Sequence, residues 1–247
     1  MKNDKVALIL AAGKGKRMKS DLPKVLHKLN GKYIVDYVID SARKAGLDRQ
    51  ILVIGHQEEM VRKALADRQV DFALQAEQLG TGHAVIVAEP QLRNFSGDLV
   101  VLCGDMPLVK TETIQLLIAE RQRLDAAAAV LTVVLNDPKT YGRIVRDDRG
   151  LLEAIVEYRD ADNENRKIKE VNTGAYCFDW KELQPILHQL KANNSQKEYY
   201  LTDSISILVS MGKRIGALVA SDPLEGQGIN SIEELKQLEK IIIDWIN

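Results

Sequence analysis

Short apolar runs, each ended by glycine or a polar residue, recur along the chain at residues 6–12, 51–54, 70–74, 98–103, 126–135 and 214–220. Unbroken runs of this length suit strands covered on both faces, as in a mostly parallel sheet. Between them the apolar positions fall at helical spacing. Within 32–45, Ile34, Val35, Val38, Ile39 and Ala42 share one face, and Gly46 stands where a C-terminal cap belongs. Further helices are predicted over 58–67, from Val85 onward, and over 111–125, 180–190, 204–211 and 232–243. Strand then helix, repeated, predicts a doubly wound α/β sheet.

The alternation stops after Asn136-Asp137-Pro138. Residues 141–146 and 151–156 flank the turn cluster Asp147-Asp148-Arg149-Gly150 and predict a hairpin. It opens a stretch of antiparallel character running from about 142 to 178. Within that stretch, residues 163–169 predict a solvated, charged loop able to act as a lid.

Composition narrows the class. With 45% hydrophobic and 28% charged residues, the 247-residue chain is an ordinary globular one, and an α/β sheet of that size is common as a single domain. A net charge of −1 lacks the basic excess of a general nucleic-acid binder, so cations clustered in one loop are a local feature that favours a small anionic ligand. Cys103 and Cys177 are too few for a disulfide framework or a zinc site, and His27, His56, His83 and His188 show no metal-ligand spacing. Lys2 and Lys5 before an apolar run loosely resemble a signal peptide, but the run is short and a cationic glycine loop follows it, so a first strand is expected. Without eighteen consecutive apolar residues, no membrane helix is expected, and the expected compartment is the cytoplasm.

The candidate chemistry begins where the first run ends, at Leu10-Ala11-Ala12-Gly13-Lys14-Gly15-Lys16-Arg17-Met18 with Pro23-Lys24 beyond. Glycines bring backbone N–H groups close to a ligand, and Lys14, Lys16, Arg17 and Lys24 supply charge for a polyphosphate. The loop is not a P-loop, because Met18 stands five places after Gly13 where glycine is needed, and it lacks the third glycine of a dinucleotide fingerprint. After the run at 70–74 come Gln75 and Leu79-Gly80-Thr81-Gly82, at the carboxyl end of a strand where α/β sheets bind ligands. A glutamine amide offers a donor and an acceptor that match a pyrimidine edge, while the Gly-Thr turn equally suits a helix N-cap. Gly104-Asp105-Met106-Pro107 puts a carboxylate directly after a buried strand, apt for Mg²⁺ or for capping its own turn. Asn230 precedes a helix and equally suits a cap.

The loop signature resembles L-A-A-G-x-G-x-R-M…P-K of the sugar-1-phosphate nucleotidyltransferases. Gln75 with residues 79–82, and the stretch 193–203, further resemble the UDP-N-acetylglucosamine pyrophosphorylase branch. The resemblance covers essentially the whole chain. It implies a Rossmann-like nucleotidyltransferase fold of the GT-A-like kind, in which a mixed, mostly parallel sheet flanked by helices carries a small antiparallel sugar-binding insertion. On that pattern residues 1–247 form a single domain, with about 1–135 and 213–247 holding nucleotide and metal and about 136–212 holding sugar. Nucleotide contacts fall to Leu10, Ala11, Ala12, Gly13, Lys24, Gln75, Gly80 and Thr81, sugar contacts to Gly104, Gly142, Glu157 and Asn172, and Mg²⁺ to Asp105 and Asn230. Arg17 and Lys24 are the implied catalytic cations.

The implied substrates are UTP and N-acetylglucosamine 1-phosphate, giving UDP-N-acetylglucosamine and pyrophosphate. The same chemistry on glucose or galactosamine-type sugar phosphates, or a nucleotide-sugar-binding module without turnover, are the rivals. Two positions depart from the pattern. Lys16 stands where threonine is frequent, and Cys103 where bifunctional relatives carry tyrosine or another polar residue. Those relatives continue into a hexapeptide-repeat acetyltransferase, but no such repeats occur here, so acetyl transfer is not expected and the expected state is a monomer or weak homodimer, with no nucleic-acid or membrane partner.

Overall fold

The computed structural model describes residues 5–246, apart from the side chains of Lys16 and of residues 242–246. The Lys16 side chain, expected near the phosphates, therefore lies outside the described residues. In chain order the strands are β1 (Lys5–Leu10), β2 (Lys28–Leu29), β3 (Lys32–Tyr33), β4 (Arg49–Ile54), β5 (Asp71–Leu74), β6 (Asp98–Cys103), β7 (Ala128–Val134), β8 (Arg143–Arg146), β9 (Leu152–Val156), β10 (Glu170–Asp179) and β11 (Ile215–Val219). The helices are α1 (Ile34–Lys44), α2 (Glu58–Ala64), α3 (Thr81–Ala88), α4 (Thr111–Arg123), α5 (Trp180–Leu183), α6 (Asp203–Ser210) and α7 (Ile232–Ile246).

The main sheet runs β11-β7-β10-β6-β1-β4-β5, with the β8–β9 hairpin attached to β10 and β2–β3 as a separate small ribbon. Neighbours β6, β1, β4 and β5 are parallel, as are β7 and β11. The exception is β10, antiparallel to both β6 and β7. The antiparallel character expected of 142–178 is therefore not confined to an insertion, because its last strand is built into the middle of the sheet. Being reversed, β10 brings its start, not its end, to the edge where its neighbours finish.

Alternate residues of β1 serve opposite faces, as both-face burial requires. Val6 and Leu8 join the core beneath α3, α5 and α6, whereas Ala7 and Ile9 join the one beneath α1 and α4. Each such fully buried Leu or Ile contributes roughly 1.5–3 kcal/mol. A third, smaller core lies under α7, where Met18, Leu29, Ile34, Leu108, Ile229, Leu235 and Leu238 meet. Met18 of the loop signature is thus an anchor in that core rather than a reacting group.

Two expectations need correction. The first strand ends at Leu10, so Ala11 and Ala12 belong to the loop, though both stay buried. The helix expected over 180–190 is only four residues of α-helix, followed by a 3₁₀ turn from Gln184 to Gln189. Pro185 is the reason, since it has no N–H for the i−4 bond and its ring crowds the preceding turn.

Candidate active site

The carboxyl ends of β1 and β6 lie side by side, Leu10 opposite Cys103, so the loops that follow them share one edge. The Gly104 N–H donates to Leu10 O at 2.9 Å, and a Cβ on Gly104 would stand 3.0 Å from that oxygen. Gly104, expected at the sugar, is buried against this backbone and makes the close approach of the two loops feasible. Its neighbour Cys103 faces the clefts instead.

A cleft of about 900 Å³ opens at this edge. Leu10, Ala11, Ala12, Gly13, Lys24, Gln75, Gly80, Thr81 and Asp105 all line it. Gly13 has open space where a Cβ would project, so the backbone is accessible to a ligand. Gly15 is the conformationally demanding glycine, with φ +57° and Lys24 Cβ only 2.8 Å from where its Cβ would be.

Gln75, only 4% exposed, directs its amide nitrogen to Gly80 O at 2.9 Å and toward His83 Nδ1 at 3.1 Å. Its amide nitrogen therefore orders the 75–83 turn. The turn itself is clamped to a segment more than a hundred residues away. Gly82 N–H donates to Tyr199 O at 2.7 Å, Tyr199 N–H to Leu79 O at 2.8 Å, and Leu201 N–H to Thr81 Oγ1 at 3.0 Å. A side chain at Gly80 (φ +108°) would strike Tyr199 O.

Lys24 joins the two candidate metal ligands. Its ammonium donates to Asp105 Oδ2 in a short ion pair and to Asn230 Oδ1 at 3.1 Å. Asn230 is not needed as a helix cap, because Ser231 Oγ accepts the Glu234 N–H at 3.2 Å while the Asn230 N–H donates to Glu234 Oε2 at 2.6 Å. Its amide nitrogen donates to Gly228 O at 3.3 Å, while its amide oxygen accepts from Lys24. One carboxylate oxygen and one amide oxygen thus converge on a single cation, the hard-oxygen donor set that suits Mg²⁺ completed by substrate phosphates and water. Among the described residues no group of three or more His, Cys, Asp or Glu is placed to hold a metal unaided. Arg17 is exposed and lines an adjoining cleft of about 640 Å³ with Asp105, Asn230, Lys139 and Tyr141, rather than the glycine-loop cleft itself.

A third, smaller recess of about 220 Å³ holds Gly142, Glu157 and Asn172 together with Tyr176 and Thr202. Asn172 is already engaged at both ends of its amide, donating to Tyr176 Oη at 2.7 Å and accepting from Gly174 N–H at 3.0 Å across a bulge in β10. Glu157 accepts from Thr202 Oγ1 at 3.2 Å. Burial pushes its carboxyl above the ordinary range, the Thr202 bond draws it back, and Asp203, Asp160 and Glu198 add to the rise. Gly142 O accepts the Asn172 N–H at 2.9 Å.

Sequence reasoning missed Tyr141, whose hydroxyl donates to Gly226 O at 3.2 Å, and the direct bond of Thr202 to Glu157. The stretch 193–203 did stand out in the sequence, but nothing in it named its partners. Cys103 lines all three cavities, its thiol pushed up to about 12 by burial and by Asp105 beside it, so it is an uncharged wall rather than a nucleophile.

A doubly wound sheet with a cationic glycine loop after its first strand, and two oxygen-bearing side chains on other loops at the same edge, defines an α/β domain outside the P-loop and dinucleotide classes. The chain belongs to the MobA-like NTP transferase domain family, which matches residues 7–173. It is 49% identical over 98% of its length to the bifunctional protein GlmU of Clostridium beijerinckii, 48% over 98% to that of Clostridium botulinum (strain Eklund 17B / Type B), and 46% over 99% to that of Halalkalibacterium halodurans. These matches cover 53%, 53% and 54% of the relatives, so the chain spans about half the length of the curated relatives it matches.

Proposed function

We propose that this domain is a UDP-N-acetylglucosamine pyrophosphorylase, a uridyltransferase that joins UTP and N-acetylglucosamine 1-phosphate into UDP-N-acetylglucosamine with release of pyrophosphate. The observation that carries the reading is the convergence of Lys24, Asp105 and Asn230 where the glycine-loop cleft adjoins its neighbour. The relatives at 46–49% identity support the branch.

In this mechanism an oxygen of the sugar phosphate attacks the α-phosphorus of UTP in line, the Pα–O–Pβ bond breaks, and pyrophosphate leaves with the electron pair. That oxygen is already ionised at neutral pH, so no general base is needed and the chain contributes positioning and charge. The backbone of Leu10, Ala11, Ala12 and Gly13 cradles the nucleotide, with Gln75 Oε1, Gly80 and Thr81 at the base. Lys24 turns from Asp105 toward the phosphoryl group under attack, and Arg17, on the adjoining cleft, neutralises the departing β- and γ-phosphates. Asp105 and Asn230 would hold Mg²⁺, which supplies Lewis-acid neutralisation of phosphate charge when bound. Gly142, Glu157 and Asn172 receive the sugar, within a part spanning about 136–212, while about 1–135 and 213–247 serve nucleotide and metal. The domain works in the cytoplasm as a monomer or weak homodimer without nucleic-acid or membrane partners; among the described residues no helix is long and apolar enough to cross a membrane.

Pyrophosphate release tests the assignment, with UTP and Mg²⁺ beside N-acetylglucosamine 1-phosphate, glucose 1-phosphate, N-acetylgalactosamine 1-phosphate or no sugar. Release with the first alone is expected. Release with another sugar keeps the mechanism and overturns the pocket assignment; none with any sugar, from folded protein that binds UTP, leaves a binding module.

A further inference from the structure

Glu225 lies in the 3₁₀ turn Pro223–Gly226 between β11 and α7, and its carboxylate has no solvent exposure. It reaches across to the loop that leads from β6 into α4. Its Oε2 accepts the backbone N–H of Lys110 at 3.0 Å, while Lys110 Nζ stands 3.7 Å from Oε1 and 3.5 Å from Asp222 Oδ2. Among the described residues Oε1 itself has no hydrogen-bond partner. The two loops so joined are those that carry Asn230 and Asp105. A second tie runs parallel to it, from Ile229 N–H to Asp105 O at 2.9 Å. Around Gly226 the packing leaves no slack, since a Cβ there would meet Thr173 Cγ2 at 2.9 Å and Val133 Cγ2 at 3.0 Å.

Stability alone is a poor account of this carboxylate. A buried ion pair of imperfect geometry roughly breaks even against an apolar side chain of the same volume. What an apolar side chain could not do is bond the backbone of Lys110, just before α4, from the opposite loop. We propose that Glu225 is a positioning residue whose reach to Lys110 sets the separation between Asp105 and Asn230, and through it the affinity of the divalent-cation site. The inference rests on the reading of those two residues as metal ligands. Carboxylates and carbonyls that hold a ligand from behind typically matter 10–100-fold to metal affinity.

The test separates reach from charge. Glu225→Gln keeps the length and an oxygen for the Lys110 N–H. Glu225→Asp keeps the charge but is one methylene short, and Glu225→Met fills the volume with neither. Mn²⁺ is titrated into each protein at fixed UTP, without sugar phosphate, and followed by electron paramagnetic resonance, with thermal unfolding recorded in parallel. The expected order of affinity is wild type and Glu225→Gln within about threefold, then Glu225→Asp and Glu225→Met weaker by about tenfold or more, with the loss uncorrelated with melting temperature. The Mg²⁺ needed for half-maximal turnover should follow the same order, while the rate at saturating Mg²⁺ stays within a few-fold.

Equal Mn²⁺ affinity in the Gln and Asp variants, or losses that simply track melting temperature, overturn the proposal; this comparison holds even where Glu225→Met fails to fold. Asp105→Asn is the control. If it leaves the protein-dependent Mn²⁺ signal intact, the metal reading itself has failed; if it abolishes the signal while Glu225→Asp binds as wild type, only the positioning role is lost.

Discussion

The glycine-loop end of the cleft is built of backbone, whereas the hairpin end is built of side chains that already hold one another. At the first, a Cβ on Gly13 would meet nothing within 4 Å and Arg17 is exposed, so both face open space. At the second, Asn172 is bonded to Tyr176 and Gly174, and Glu157 to Thr202. A polyphosphate needs several donors and positive charge, which a flexible glycine loop supplies in sequence order. An uncharged sugar needs fixed donors and acceptors at set distances, which requires side chains locked by their neighbours. The two ends should therefore fail differently when altered.

The largest effects belong to the loop cations. Lys24→Ala or Arg17→Ala should lower the single-turnover rate by about a hundredfold or more, the scale of removing one preorganised donor to developing charge. A change below about threefold in either variant removes that residue from the chemistry and with it the contrast drawn here.

Alanine at the two loop glycines sharpens the same contrast. Gly15→Ala forces a left-handed residue and drives a methyl into Lys24 Cβ, so stability should fall by about 1–2 kcal/mol or more, read as a lower melting temperature. Gly13→Ala has free space and should melt as wild type, yet its methyl projects into the open cleft and should weaken UTP binding by roughly tenfold. Calorimetry with UTP distinguishes the two; equal melting losses in both would mean that the Gly13 loop is packed rather than open.

The smallest effect is expected at the hairpin end. Glu157→Gln keeps the acceptor for Thr202 but loses the charge, so KM for the sugar phosphate should rise by a few-fold with kcat little changed. Its stability effect has a definite sign. Because the folded protein raises the Glu157 carboxyl above the value of 4.5 it takes in an unfolded chain, ionised Glu157 penalises the fold at neutral pH. The variant should be the more stable there, and the difference should vanish as pH falls below about 4.5, where Glu157 is protonated in both states. A difference that grows toward acid would reverse the assignment of burial as the dominant influence.

These contrasts also explain what could be read in advance. The order of strands and helices followed from apolar runs and helical spacing, and most boundaries fell within a few residues; the exception at 184–189 came from Pro185 overriding a helical pattern. That residues 10–15 and Lys24 line one cleft was legible because they are contiguous or nearly so in sequence, whereas the placement of Arg17 in the adjoining cleft was not. Asp105 was legible because strand ends in such sheets face ligands. The placement of β10 between β6 and β7 was not, since antiparallel character was expected only of an insertion and which strands lie on either side is a tertiary matter. Nor was the clamp of residues 79–82 by 199–201, since two of its bonds join backbone groups that every residue carries and the third, from Leu201 N–H to the Thr81 hydroxyl, spans 120 positions.

The sequence by itself therefore determined the α/β alternation, the cationic glycine loop and the carboxylate after β6, because local periodicity, chain flexibility and charge are properties of neighbours along the chain. Tertiary structure alone decided that Lys24 lies between Asp105 and Asn230, that Asn172 is held by Tyr176, and that Glu225 spans to Lys110. Those contacts join residues 81, 206 and 115 positions apart in the long-range cases. Even the short Asn172–Tyr176 bond depends on a bulge imposed by pairing with β7. Their energies depend on distances of a few ångströms, which only the packed sheet fixes.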